Sequence, residues 1–409
     1  MQYKKPNLFC YRLTQIVCWI VATFIFKRKF LRNEIKGKNG PFVVIANHQA
    51  AWDFVNLFGA TSRPMSFVIS NSFFNSLPIR GFLQKLGMIP KQQFQTTVRD
   101  MKRIKAVVDH GEGVVIYPAG LMSEDGLSTP IPAATYKFLK WLDADVYMAR
   151  TSGTYFVMPK WSEKKRAGRT YLDVYKLFSR EELKALDLDA VKQRAEEALL
   201  FDAYREQEEY LVKYKGGSDI RGLENVLYQC PHCAAEFSVE VREENRLCCT
   251  ACGYEQQSDE YGFLHRCGSV GDEVRYVSDW SRWIYRQLQE KILSGELKNL
   301  QSKTAIHMID YDKKKFLEVG QGTLTLTGEQ FTIDASIKGE PIVLTVPIAG
   351  VPTLPFKPGK YLEVQQGSDI YRCVLSDGKL VMKFINMVKI FHEQSKNKAQ
   401  PAVKSPEVV

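Results

Sequence analysis

The sequence predicts an α/β domain with a mixed, mostly parallel sheet and flanking helices. A compact cysteine-rich module and a small β-barrel closed by a C-terminal helix are expected to follow it. Three observations carry this expectation. Between Gly40 and Trp161, short apolar runs alternate with helix-period stretches. Five of the nine cysteines fall between Cys230 and Cys252. From Ile306 to Gln394 the hydrophobic period changes to two, with turn residues between the runs. At 409 residues the chain is also long for a single core.

Residues 1–39 come first. The apolar run "LFCYRLTQIVCWIVATFIF" extends from Leu8 to Phe26 but is interrupted by Arg12 and Gln15. Its clean part, Ile16 to Phe26, is shorter than the ~20 residues a spanning helix needs. "KRKFLR" follows it where a signal peptide would show a small-x-small cleavage site. Residues 1–40 hold nine Lys or Arg against one acid, Glu34, a net +8 of the whole-chain +10. An apolar helix beside a basic cluster suits an anionic bilayer surface, and the segment is expected to anchor the chain on the cytoplasmic face of a membrane. The rest of the chain is close to neutral and shows no basic stripe, so no nucleic-acid partner is expected. The sequence carries no signal for an oligomeric state.

Residues 40–178 are the expected α/β domain. "FVVIAN" reads as a strand that runs into His48, and "FVNLFGA" starts a helix just after Asp53. Four intervening residues allow a strand-to-helix turn that returns the carboxylate to one imidazole nitrogen, leaving the other to accept a proton. Asn47 is expected to fix that turn. A capped strand end is the other reading of the same spacing. "MSFVIS" reads as a second strand and "GVVIYPAG" as a third, buried one ending in a turn at Pro118–Gly120, and chemistry collects where such strands end. The N–H of Gly120 is a candidate donor to a developing oxyanion.

Residues 179–225 read as a helical linker without chemistry. In residues 226–268, Cys230 and Cys233 form one Cys-x2-Cys knuckle and Cys249 and Cys252 another. Two such knuckles supply the four thiolates of a structural Zn2+ site, a zinc ribbon, with no open position for catalysis. Cys248 competes with Cys249 for one ligand position, and Cys267 reads as a buried thiol. Thiols used this way imply a reducing compartment. Residues 269–300 read as a helical connector, 301–395 as the β domain and 396–409 as a disordered tail.

"NHQAAWD" resembles the first motif, His-x4-Asp, of the glycerolipid acyltransferases, which include the 1-acylglycerol-3-phosphate acyltransferases. "GFLQKLGMIPKQQF" and "GEGVVIYPAGLMSEDG" are similar to the second and third motifs, and "DVYMARTSGTYFVMP" takes the place of the fourth. The resemblance covers residues 10–175. It implies an O-acyltransferase of lipid metabolism and phospholipid biosynthesis, with His48 as general base and Asp53 orienting it. It implies acyl-CoA or acyl carrier protein as the donor and a lysophospholipid or related hydroxyl lipid as acceptor. Asn47, Lys91, Pro118 and Gly120 occupy the substrate-binding positions. The third motif departs from the family pattern: Ala119, Leu121 and Met122 stand where Glu, Thr and Arg are usual. This implies a changed or relaxed acceptor, or an inactive adaptor that binds lipid or protein. The β-rich residues 301–395 resemble a pleckstrin-homology or GRAM-like domain.

Overall fold

In a computed structural model, residues 5–76, 79–93, 97–310, 313, 315–367 and 369–399 are described. The expected tail falls largely outside them, although the last helix still covers residues 396–399. The chain forms two compact units, the first running through Arg282 and the second beginning at Trp283.

The first unit is built on a seven-stranded sheet. Its strands are β1 (Lys29–Asn33), β2 (Phe42–Ala46), β3 (Met65–Ser70), β4 (Ile89–Lys91), β5 (Gly113–Ile116), β6 (Asp145–Ser152) and β7 (Tyr171–Phe178), in the order β1-β7-β6-β2-β5-β3-β4. β2 pairs parallel with both β5 and β6, and β3 pairs parallel with β5 and β4. Only β6 and β7 are antiparallel. β1 lies parallel to β7, so residues 29–33 of the basic segment are part of the sheet.

All five residues of β2 are buried, because the sheet is covered on both faces. Val43 and Ile45 join one core with Ile104, Val107, Tyr136 and Leu139 from the helices Val98–Asp109 and Ala134–Leu142. On another side, α1 (Leu8–Phe24) packs on α2 (Asp53–Phe58). Tyr11 stacks on Phe58 at 4.6 Å, and Phe58 on Phe67 at 5.3 Å. The Tyr11 hydroxyl accepts the Met65 N–H at 2.9 Å.

α1 is capped by Asn7, whose side chain accepts the Cys10 N–H. Only Tyr11, Cys18 and Ala22 of this helix are buried, a narrow stripe facing the domain. Leu8, Phe9, Leu13, Ile16, Val17, Trp19, Ile20 and Phe24 are exposed. Among the described residues, no helix is long and apolar enough to cross a membrane.

Three helices, Arg180–Ala185, Leu188–Leu199 and Ala203–Tyr210, follow the sheet. The cysteine-rich module then adds an antiparallel sheet of β8 (Val239–Arg242), β9 (Arg246–Cys249), β10 (Glu255–Ser258) and β11 (Leu264–Arg266). The segment between the two knuckles forms the β8–β9 hairpin.

The second unit is a seven-stranded sheet of β12 (Asn299–Asp310), β13 (Lys315–Thr327), β14 (Gln330–Ile337), β15 (Glu340–Pro347), β16 (Phe356–Lys357), β17 (Tyr361–Gln366) and β18 (Asp369–Leu375). Its order is β15-β14-β13-β12-β18-β17-β16, and the helix Leu380–Ala399 follows. That helix buries Phe384, Ile385, Met387, Val388 and Phe391, which makes it the hydrophobic plug of the unit.

Candidate active site

β2 and β5 are adjacent parallel strands in register, with Ile45 opposite Ile116, so they end at the same edge of the sheet. β2 delivers His48 there and β5 delivers Tyr117. His48 Nδ1 lies 2.8 Å from Asp53 Oδ2. The same oxygen accepts the N–H groups of Gln49, at 2.7 Å, and Ala50, at 3.0 Å. A carboxylate oxygen holding two backbone donors acts as an acceptor, so the imidazole donates from Nδ1 and keeps its lone pair on Nε2. Nε2 has no hydrogen-bond partner among the described residues. The His48 side chain is 20% exposed and that of Asp53 is fully buried, so the imidazole is reachable and the carboxylate is not. Asp53 Oδ1 is buried without a hydrogen-bond partner among the described residues.

The Tyr117 ring lies against the imidazole, with centroids 4.4 Å apart. Burial, and then the nearby charge of Asp53, push its phenol well above the ordinary value, so it stays neutral. The next residues make a tight turn. Pro118 is buried, and Gly120 N–H donates to Tyr117 O at 3.0 Å. Gly120 adopts φ +69°, and a Cβ there would meet nothing within 4 Å. Its requirement is therefore the left-handed backbone and not the close approach of a neighbour. In this structure the Gly120 N–H is engaged in closing that turn.

The other expected residues divide differently. Asn47 spends its amide on the sheet: Nδ2 donates to Thr151 O and Oδ1 accepts the Thr151 N–H, both at 2.8 Å. This ties the end of β2 to β6 and fixes where the turn begins. Lys91 ends β4, and its Nζ donates to Gln92 O at 3.2 Å. Burial lowers its pKa below the ordinary lysine value. Gln93, two residues on, reaches the third-motif turn itself, donating to Gly120 O at 2.6 Å.

Sequence reasoning missed the support behind Gln49. Its Oε1 accepts from Thr154 Oγ1 and Tyr155 N, both at 3.2 Å, and its Nε2 donates to Glu206 Oε2 at 3.3 Å. Arg150 donates to the other Glu206 oxygen at 2.6 Å. Glu206 belongs to the helix Ala203–Tyr210, in the segment expected to be a linker without chemistry. Burial raises its pKa, against Arg150, Ser152 and Gln49.

The cysteine-rich module forms a second candidate site. The ligand atoms of Cys230, Cys233, Cys249 and Cys252 all lie within 4.8 Å of one another. Cys230 and Cys252 Sγ are 3.8 Å apart, and Cys233 and Cys249 Sγ 3.7 Å. Tetrahedral Zn–S bonds of about 2.3 Å put sulfurs about 3.8 Å apart, so the donor set fits a zinc ion. Burial opposes ionisation of Cys249. Hydrogen bonds from Ser238 Oγ and from the Ala251 and Cys252 N–H groups outweigh it and hold the thiol at about 6. Cys249, not Cys248, joins the group. Cys267 is exposed, not buried as expected, because it lies just beyond the short edge strand β11.

Parts of the chain are similar to known proteins. Residues 27–162 match the family model described as Acyltransferase. No curated protein matches the chain. Among solved structures, the chain is similar to the 1-acyl-sn-glycerophosphate (LPA) acyltransferase PlsC from Thermotoga maritima. The identity is 17%, over 50% of this chain and 81% of that one, with a TM-score of 0.42. It is also similar to the Ran binding domain of Nup2 from Ashbya gossypii, at 11% identity over 24% of this chain and 99% of that one, TM-score 0.20. The PH domain of human oxysterol binding protein-related protein 11 is 11% identical over 28% of this chain and 95% of that one, TM-score 0.19. The strand-end turn that holds His48 and Asp53 lies inside residues 27–162, the segment that matches the acyltransferase family model.

Proposed function

We propose that the chain transfers a fatty acyl group from acyl-CoA or acyl carrier protein to a hydroxyl of a lysophospholipid or related lipid. The observation that carries this reading is the 2.8 Å contact between His48 Nδ1 and the buried Asp53, with Nε2 left without a hydrogen-bond partner among the described residues. In this reading the acceptor hydroxyl gives its proton to Nε2 as its oxygen attacks the thioester carbonyl. The carbon–sulfur bond then breaks, and the imidazolium returns the proton to the leaving thiolate. Asp53 holds the Nδ1–H tautomer and offsets the charge that forms on the ring.

The third-motif turn supports a changed acceptor. It presents Ala119, buried Leu121 and Met122, none of which supplies the charge-assisted hydrogen bonds that fix a phosphate monoester. The exposed apolar face of α1 and the basic residues around it support a monotopic seat on an anionic, cytoplasmic membrane face. Cys230, Cys233, Cys249 and Cys252 would hold a structural Zn2+. When bound, the ion cross-links the two knuckles and leaves no coordination position for substrate.

The test is incubation of the purified chain with radiolabelled acyl-CoA and a panel of hydroxyl lipids in vesicles. Product from the native chain, reduced by roughly 10²–10⁴ in His48→Ala, supports the reading. Equal product from both proteins, or none from the native chain with any acceptor, ends it.

A further inference from the structure

The four-cysteine module and the turn beside His48 are joined by a short series of contacts through two adjacent residues, Trp280 and Ser281. Trp280 is buried, and its indole N–H donates to Gln229 O at 2.8 Å, immediately before Cys230. Its ring meets Tyr254 edge-on, at 5.9 Å and 84°. Tyr254 follows the other knuckle, and its carbonyl accepts the Cys249 N–H at 2.8 Å. One side chain therefore touches the flank of both halves of the ligand set.

Ser281, next in sequence, donates its hydroxyl to Asp125 Oδ2 at 2.5 Å. Asp125 sits in the loop that continues the third-motif turn, and its Oδ1 accepts the Leu127 N–H at 3.0 Å. Ser123, in the same loop, is fully buried. Its N–H donates to His48 O at 3.1 Å, and its Oγ accepts the Gly126 N–H at 2.9 Å. The loop is stitched on its far side as well: Ala203 N–H donates to Gly126 O at 2.8 Å. A Cβ on Gly126 would come within 2.9 Å of the Tyr204 ring, so the loop backbone lies directly on that helix.

We infer that the metal-loaded ribbon braces the catalytic turn, with Trp280 and Ser281 as positioning residues that act on His48 through Asp125 and Ser123. A loop without regular structure has few contacts of its own and opens locally unless neighbouring elements hold it. Here those elements include one end of a helix whose Trp280 is seated by the two knuckles. Knuckles of this kind keep their shape through the metal. Emptying the four-cysteine site unseats Trp280, withdraws Ser281 from Asp125 and loosens residues 117–126. The effect on turnover rests on the acyl-transfer reading, whereas the mechanical coupling does not.

The experiment compares amide hydrogen exchange in the full native chain, Ser281→Ala and Trp280→Phe, each with its metal and after chelation. Metal content is measured in parallel, and exchange at residues 42–46 serves as the control for global folding. In Ser281→Ala the metal is retained, exchange in residues 117–126 rises roughly tenfold, and chelation adds less than about twofold there. Chelating the native chain produces the same rise in residues 117–126. Trp280→Phe keeps the ring and loses the N–H, so it shows a smaller rise. In acyl-transfer assays, kcat of Ser281→Ala falls while KM for the acyl donor stays within about twofold. Two outcomes overturn the inference: chelation that raises exchange only in residues 226–268, or Ser281→Ala indistinguishable from native in residues 117–126. A native chain that shows the coupling yet acylates no acceptor leaves the brace standing and removes the enzymatic reading.

Discussion

Replacing Asp53 by Asn removes one charge and little else, which makes it the sharpest test of the candidate catalytic pair. Oδ2 accepts from Gln49 N, Ala50 N and His48 Nδ1 at 2.7, 3.0 and 2.8 Å. An amide oxygen in the same place accepts all three, so the turn and the tautomer persist. Oδ1 has no hydrogen-bond partner among the described residues, so the amide nitrogen that replaces it forfeits no bond. What disappears is attraction between the carboxylate and the imidazolium formed when His48 takes a proton. With charge centres about 4 Å apart, that attraction is about 4 kcal/mol at an effective dielectric near 20, and about 1 kcal/mol in water. The carboxylate is fully buried and the imidazole 20% exposed, so the first figure applies. About 4 kcal/mol corresponds to a fall of roughly 10³ in kcat. The assay is thiol release from acyl-CoA at saturating acceptor, with KM for the donor expected to stay within about threefold. A melting curve verifies that the variant is folded. Folded Asp53→Asn with kcat within about tenfold of native would refute the assigned role of the carboxylate. Asp53→Ala is a poorer probe, because it also strands two buried N–H groups at about 1–3 kcal/mol each in stability.

Three further outcomes are expected. Phe9 and Trp19 are 79% and 52% exposed on the apolar face of α1. Each is worth about 1.5–3 kcal/mol if it enters an apolar phase, so Phe9→Ser with Trp19→Ser should weaken sedimentation with anionic vesicles at least about tenfold. Unchanged co-sedimentation would count against α1 as the anchor. Cys233→Ser removes one of the four candidate ligands, so metal content should drop from about one ion per chain toward none and the melting temperature should fall. Full metal retention would show that the cluster is not the binding site. Glu206 has its pKa raised by burial, so its contribution to stability is present below the ordinary glutamate value of about 4.3 and is lost as pH rises through the higher folded value. Glu206→Gln, neutral throughout and still able to accept from Arg150, should therefore gain in melting temperature relative to native as pH rises through that window. A difference independent of pH would contradict the buried, charge-penalised carboxylate.

The parts of this molecule that were legible in the sequence are those whose geometry is local. His48 and Asp53 are five residues apart, and a strand, a turn and one helical turn suffice to bring Nδ1 to Oδ2. β2 and β5 were legible because a parallel strand covered on both faces must be apolar at every position. The two Cys-x2-Cys knuckles announce themselves by spacing for the same reason. Glu206 did not, since it meets Gln49 from 157 residues away and lies on a helix whose composition reads as a solvated face. The available signal was slight: Ala203, Tyr204 and Gln207 are buried on that helix, so Glu206 sits at the edge of its inward stripe. Ser281 and Asp125 were hidden likewise, being common polar residues 156 positions apart. The backbone demand at Gly120 was hidden too, because a glycine after a strand signals either a close neighbour or a positive φ, and sequence does not separate the two. The division follows from what each contact has to satisfy. A base and its carboxylate need a fixed separation, which a short stretch of chain can encode alone. Holding that stretch at the sheet edge needs buried polar partners, and distant segments supply those only once the chain has folded around them.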